Sequence, residues 1–179
     1  MSISINKIIA AAPNTERGRP SQLSADPKGE RIAYASGKSI FLRSLDHPTE
    51  SKQYTAHTTQ TTAARFSPSG FYVASGDVSG SVRVWDAVEG VNTKGEYHII
   101  SGRINDLSWD GDSQRIIAVG DGRNRYGHAF TADSGNSVGE ISGHSAVINS
   151  VSIRQQRDGS EMFQVCCLLI DWSLMRSGV

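Results

Sequence analysis

The sequence predicts an all-β fold, a β-propeller present as about three four-stranded blades and the start of a fourth. Three observations predict it. A repeat recurs with a period near forty residues, each repeat places a similar turn at the same point, and no segment sustains a helical apolar period.

The repeat is read directly from the chain. Asp26-Pro27-Lys28-Gly29-Glu30-Arg31-Ile32-Ala33 aligns with Ser67-Pro68-Ser69-Gly70-Phe71-Tyr72-Val73-Ala74 at an offset of 41. The second aligns with Asp110-Gly111-Asp112-Ser113-Gln114-Arg115-Ile116-Ile117 at an offset of 43. Thr61, Ala64 and Phe66 map onto Ile104, Leu107 and Trp109 at 43, and these onto Ile148, Val151 and Ile153 at 44. Each unit reads as a short alternating strand, a turn carrying Pro or Gly, a β-branched or aromatic strand, a second turn and a third strand.

Residues 1–20 are expected to form an N-terminal strand and connector, with Ile3 and Ile5 in the strand and Glu16-Arg17-Gly18-Arg19 solvated. Blades occupy residues 21–157. The second is the best formed. His57 precedes Trp85 by 28 residues, and Val82-Arg83-Val84-Trp85-Asp86 is a WD strand of the WD40 type. In such a blade a buried indole N–H and imidazole need hydrogen-bond partners. His57, Ser75 and Trp85 match this pattern, followed by Asp86. The place just before Gly80 where an Asp is usual holds Ser79, and Asp77 is the alternative. His57 therefore reads as structural. Gly143-His144 opens a fourth unit in the same manner, with one strand expected over Val147 to Ile153. Residues 158–179 read as a divergent, non-native tail without a blade turn, the product of a truncated or misread gene, with a divergent strand as the alternative.

Composition bounds the function. The chain has 179 residues, 37% hydrophobic and 20% charged, with 18 Lys plus Arg against 18 Asp plus Glu. This balance argues against a broad grip on nucleic acid. Cys166 and Cys167 are adjacent, a poor geometry for bridging each other, and suit a reducing compartment. The short apolar N-terminal stretch lacks a basic leader, and no run approaches the ~20 apolar residues of a membrane span. The expected location is cytoplasmic. No phosphate-binding glycine loop, metal-ligating spacing or nucleophile–base pair is visible, so the expectation is a non-catalytic protein with no cofactor and no metal. Asp110-Gly111-Asp112 lacks the further ligands of a calcium loop and reads as a turn.

Certain runs are more specific. Gly76-Asp77-Val78-Ser79-Gly80-Ser81-Val82-Arg83-Val84-Trp85-Asp86, Ile104-Asn105-Asp106-Leu107-Ser108-Trp109-Asp110, and the third-unit loop Gly120-Asp121-Gly122-Arg123 with Tyr126-Gly127-His128 resemble the actin-interacting protein 1 family, as does Pro13 to Gly18. The resemblance covers residues 1–157. It implies two seven-bladed propellers in a full-length member, binding to actin filaments, promotion of cofilin-dependent filament disassembly, and a place in the cortical actin cytoskeleton. A chain of this length is expected to be impaired in that activity. The alternative is a generic WD-repeat scaffold in another multiprotein complex.

One surface feature stands out. Arg123, Asn124, Arg125 and Tyr126 lie in a loop longer than its counterpart at Asp77 to Gly80. Charged, aromatic-bearing loops on a rigid scaffold are common binding elements, and Arg and Tyr are enriched at interface hot spots. These four residues are the candidate partner-binding set.

Overall fold

The computed structural model describes residues 9–88, 92–141, 143–155 and 161–166. Among these every regular element is a strand. The expected strand at Ile3 and Ile5 and the tail beyond Cys166, including Cys167, lie outside the described residues.

Three four-stranded antiparallel sheets follow one another, each in simple sequential order. Sheet 1 holds β1 (Leu23–Ala25), β2 (Arg31–Ser36), β3 (Ser39–Ser44) and β4 (Ser51–Tyr54). Sheet 2 holds β5 (Thr61–Phe66), β6 (Tyr72–Asp77), β7 (Ser81–Asp86) and β8 (Thr93–His98). Sheet 3 holds β9 (Gly102–Trp109), β10 (Arg115–Gly122), β11 (Gly127–Thr131) and β12 (Ser137–Glu140). This is an incomplete WD40-type propeller.

The fourth unit departs from expectation. Its first strand, β13, is Ser150–Gln155, so Val147 to Asn149 precede it. It pairs with β14, Glu161–Cys166, in a register running from Ser150 opposite Cys166 to Gln155 opposite Glu161. Part of the segment read as a tail thus supplies a second strand.

Small apolar and β-branched residues let the sheets pack face to face. Ala33, Ile40, Leu42 and Tyr54 of sheet 1 meet Ala64, Phe66, Val73 and Trp85 of sheet 2. Val82, Val84 and Ala74 of sheet 2 meet Ile104, Leu107, Ile116 and Phe130 of sheet 3. Ile117 and Val119 of sheet 3 meet Ile148 and Val151 of the fourth unit. Each unit therefore buries its apolar faces against its neighbours, as in other repeat folds.

The first two turns have Gly29 and Gly70 at positive φ, whereas the third has Ser113 there, at 62°. Its hydroxyl accepts a bond from the Ser69 amide of the preceding turn (3.2 Å). At the opposite end, the Gly37, Gly80 and Gly120 carbonyls accept bonds from the Thr61, Ile99 and Ile148 amides, each from the entry to the next unit.

Neighbouring first strands are also stitched by side chains. The Phe66 amide donates to Ser24 Oγ (3.1 Å), and the Ile153 amide to Ser108 Oγ (3.2 Å). The equivalent position in sheet 2 is Arg65, whose carbonyl takes the Trp109 indole N–H instead (3.0 Å). The Arg65 guanidinium reaches back to the Leu23 carbonyl and Gln22, and forward to the buried Asp106 carboxylate. Asp106 also accepts from Ser150 Oγ (2.9 Å) and the Val151 amide (3.2 Å). One belt thus crosses four units.

Candidate partner-binding site

Two places carry the residues singled out by sequence, and they differ in kind. The first is sealed inside sheet 2. The Trp85 indole N–H donates to Ser75 Oγ at 3.0 Å. Ser75 Oγ lies 2.8 Å from His57 Nε2, and His57 Nδ1 lies 3.0 Å from Asp77 Oδ2. One proton assignment satisfies the whole chain: Trp85 donates to Ser75, Ser75 to His57, and His57 to Asp77. All four residues are buried. Tyr54 of sheet 1 stacks on Trp85 with ring centroids 4.4 Å apart and meets His57 edge-on.

The fourth member of the set is Asp77, and Ser79 is its satellite. The other Asp77 oxygen, Oδ1, accepts from the Ser79 amide (2.9 Å), the Ser79 hydroxyl (2.6 Å) and the Ser81 amide (3.2 Å). Burial pushes the Asp77 carboxyl up, but the bonds from His57, Ser79 and Ser81 outweigh it and hold the group well below the usual carboxylate range. Asp86 stands outside this set and accepts from the Val88 amide at the turn after β7 (2.7 Å). His144 is half-buried on the approach to β13.

The second place is the loop between β10 and β11. The Gly120 amide donates to the Tyr126 carbonyl, closing the loop on itself (2.8 Å). A Cβ at Gly122 would stand 2.0 Å from the Arg125 carbonyl oxygen, so a side chain there is excluded by the backbone it meets.

The four candidate residues divide into anchors and free ends. Tyr126 packs on the apolar cluster of Ile117, Val119, Ile148 and Val151, and its hydroxyl reaches the Ser145 carbonyl (3.4 Å). Arg125 pairs with Glu140 of β12 at 2.9 Å, while its Nη1 lies 3.5 Å from His128 Nδ1. Burial pushes the His128 ring down and the Arg125 charge lowers it further, against a smaller upward pull from Glu140. Arg123 and Asn124 are exposed. The structure therefore presents these last two and commits much of the other pair to holding the loop in place.

Residues 48–86 match the model of the WD domain, G-beta repeat. The match begins before β4 of sheet 1 and ends on the last residue of β7, so one sequence repeat straddles two sheets. Over 158 residues, 88% of the chain, it is 56% identical to an uncharacterized WD repeat-containing protein of Schizosaccharomyces pombe, covering 27% of that protein. It is 48% identical over 151 residues to actin-interacting protein 1 of Drosophila melanogaster, covering 84% of the chain and 25% of the relative. WD repeat-containing protein 1 of Rattus norvegicus is 46% identical over 158 residues, 88% of the chain and 26% of the relative. The chain spans about a quarter of the length of the curated relatives it matches. With its sheets, its buried Trp-Ser-His-Asp set and this shared sequence, the chain belongs to the WD-repeat family of actin-interacting protein 1.

Proposed function

We propose that this chain is a non-catalytic scaffold that binds actin filaments through the loop between β10 and β11, with Arg123 and Asn124 as the contacting residues. The observation that carries this reading is the division of labour in the loop. Tyr126 and Arg125 spend their contacts on sheet 3 and the fourth unit, while Arg123 and Asn124 stay in solvent on a fixed backbone. A preorganised cationic tip loses little freedom on binding and suits an acidic surface. The name of the Drosophila relative supports actin as the partner.

On the same reading the protein works with cofilin in filament disassembly, in the cytoplasm at cortical actin. This stretch alone does not carry the full activity, because surfaces borne by the remaining three quarters of the relatives' length are not part of it. The test is co-sedimentation of the purified chain with actin filaments, with and without cofilin, followed by a filament-severing assay. The expected result is weak binding that the Arg123→Ala, Asn124→Ala double variant abolishes, with little severing. Binding that is absent, or unchanged in the double variant, overturns the reading and favours a scaffold for another complex. Severing equal to that of a full-length relative at equal concentration overturns the partition of activity.

A further inference from the structure

At the end of the sheets that carries Arg123, the connector before β1 folds back over the entry to sheets 2 and 3. The Asn14 amide bonds the Ala35 carbonyl (2.9 Å), and Ser21 Oγ bonds the Asn14 carbonyl (2.8 Å). This fold delivers Glu16 between two guanidinium groups. Glu16 Oε1 lies 3.2 Å from Arg19 Nε, and Glu16 Oε2 lies 3.2 Å from Arg103 Nη1.

We propose that Glu16 is an internal stand-in for a carboxylate of an acidic partner peptide, which displaces it from Arg19 and Arg103. The inference does not rest on the actin reading.

Three observations converge on it. First, two cations share one carboxylate, and the deeper cation is poorly compensated. The Arg103 side chain is only 19% exposed. Burial lowers its affinity for a proton, and the neighbouring Arg19 charge lowers it further, with Glu16 only partly opposing this. Arg103 is thus a mostly buried cation for which a carboxylate is a favourable neighbour. Second, the present one is easily exchanged. Glu16 is half exposed, and pairs of that kind contribute little net stability. Third, the site has an unused donor. Asn14 Nδ2 is shut off from solvent and has no hydrogen-bond partner among the described residues. Asn14, Glu16, Arg19 and Arg103 line a common cavity of about 20 Å³, room for about one water-sized group.

Charge at the two ends of the sheets agrees. This end adds exposed Arg17, Lys38 and Arg123 to the cations, against Glu16, Asp121 and Glu140. The opposite end presents Glu30, Asp46, Glu50, Asp112 and Asp133 in its turns, against Lys28. A chain with no net charge thus offers one basic face, which steers acidic segments toward it.

The test uses the full 179-residue chain and a fluorescein-labelled Glu-Gly-Glu-Gly-Glu peptide, read by fluorescence anisotropy at low salt. Removing the internal competitor in Glu16→Gln is expected to tighten binding about threefold or more, and Arg19→Gln to weaken it by about as much. Arg103→Gln is expected to lose binding, with circular dichroism melting to show whether it folds; Arg19→Gln, altering an exposed residue, decides the question if it does not. The Asn14 side-chain amide resonance should move on addition of peptide. Arg123→Ala should bind peptide normally, which separates this site from the loop. Binding that is absent, or that Glu16→Gln leaves unchanged or weakens, overturns the proposal. So does displacement of the peptide by sodium phosphate at matched ionic strength, which would reassign the site to phosphate, or loss of peptide binding in Arg123→Ala.

Discussion

Arg65 places both Nε and Nη2 on a single oxygen of Asp106, at 3.0 and 2.8 Å, leaving the other oxygen for the fourth unit. The carboxylate is fully buried, whereas the Arg65 side chain keeps 26% of its exposure. The pair is therefore asymmetric. An arginine that loses its partner retains water, but a buried carboxylate does not.

Asp106→Ala should cost roughly 3–5 kcal/mol, because besides two bonds from the part-exposed Arg65 it leaves the Leu107 and Val151 amides and the Ser150 hydroxyl without their acceptor, at about 1–3 kcal/mol for each buried group. Arg65→Ala leaves the carboxylate buried but with the Leu107 amide on one oxygen and Ser150 and the Val151 amide on the other, so a smaller loss is expected. Urea unfolding of the two variants checks the order. Equal losses would mean that the donors remaining on Asp106 do not sustain its carboxylate without Arg65.

Within sheet 2, Ser75→Ala should destabilise by about 1–3 kcal/mol by leaving the Trp85 N–H and His57 Nε2 unpaired. Trp85→Ala should cost roughly 3–5 kcal/mol, since it also removes a buried ring. Ser79→Ala deletes one part-exposed bond to Asp77 and should cost less than Ser75→Ala. A larger effect at Ser79 would restore it as the principal acid-side member of the set.

Asp77 also makes stability depend on acid. Its carboxyl is depressed in the folded protein, so its contribution is complete above the unfolded value of about 4 and is lost as pH falls toward the folded one. The parent chain should lose stability as pH drops below about 4, and Asp77→Asn should be less stable at neutral pH with a flatter decline across that window. Chemical denaturation at a series of pH values measures both slopes.

Gly80 and Gly37 both sit at positive φ, yet their surroundings differ. A Cβ at Gly80 would stand 1.7 Å from the Ile100 carbonyl oxygen, while one at Gly37 meets nothing within 4 Å. Gly37→Ala should cost only the left-handed backbone penalty, about 1–2 kcal/mol. Gly80→Ala must also push apart the turn of sheet 2 and the entry to sheet 3, and should cost clearly more. Thermal melts of the two variants compare them directly.

The division within the candidate loop gives a further expectation. Tyr126→Ala should lower the melting temperature by removing packing on Ile148 and Val151, whereas Arg123→Ala should leave it unchanged. Differential scanning calorimetry distinguishes them. A stability loss at Arg123 would mean that it too is spent on holding the fold.

Features that recur in phase were legible in the sequence. His57, Ser75 and Trp85 keep the spacing of their repeat, and the alternating apolar residues of β5 and β9 identify the faces that pack. The role of Asp77 is ambiguous in the sequence because two short polar residues compete for one turn, and only the fold shows that the carboxylate reaches His57 and the hydroxyl does not. The Arg65–Asp106 pair has no such signal. Its members are 41 residues apart but not repeat equivalents, since Arg65 corresponds to Ser108. The pairing of β13 with β14 did have one: Asp158-Gly159 is a strong hairpin dipeptide between two segments with β-forming residues. The split of the loop into anchors and free ends depended on Glu140 and Ile148, neither of which spacing alone brings to Arg125 and Tyr126.

Because Asp106 answers to both neighbours at once, sheet 3 makes the array non-additive. A change at Ser150 alters how firmly one oxygen is held, and that shifts the demand on Arg65, which in turn grips Gln22 and the Leu23 carbonyl. Substitutions near the two ends of this belt should then show coupling energies in a double-mutant cycle despite having no atoms in contact. The residues along it are under joint constraint, so that drift at one is tolerated or rejected according to what the others already are.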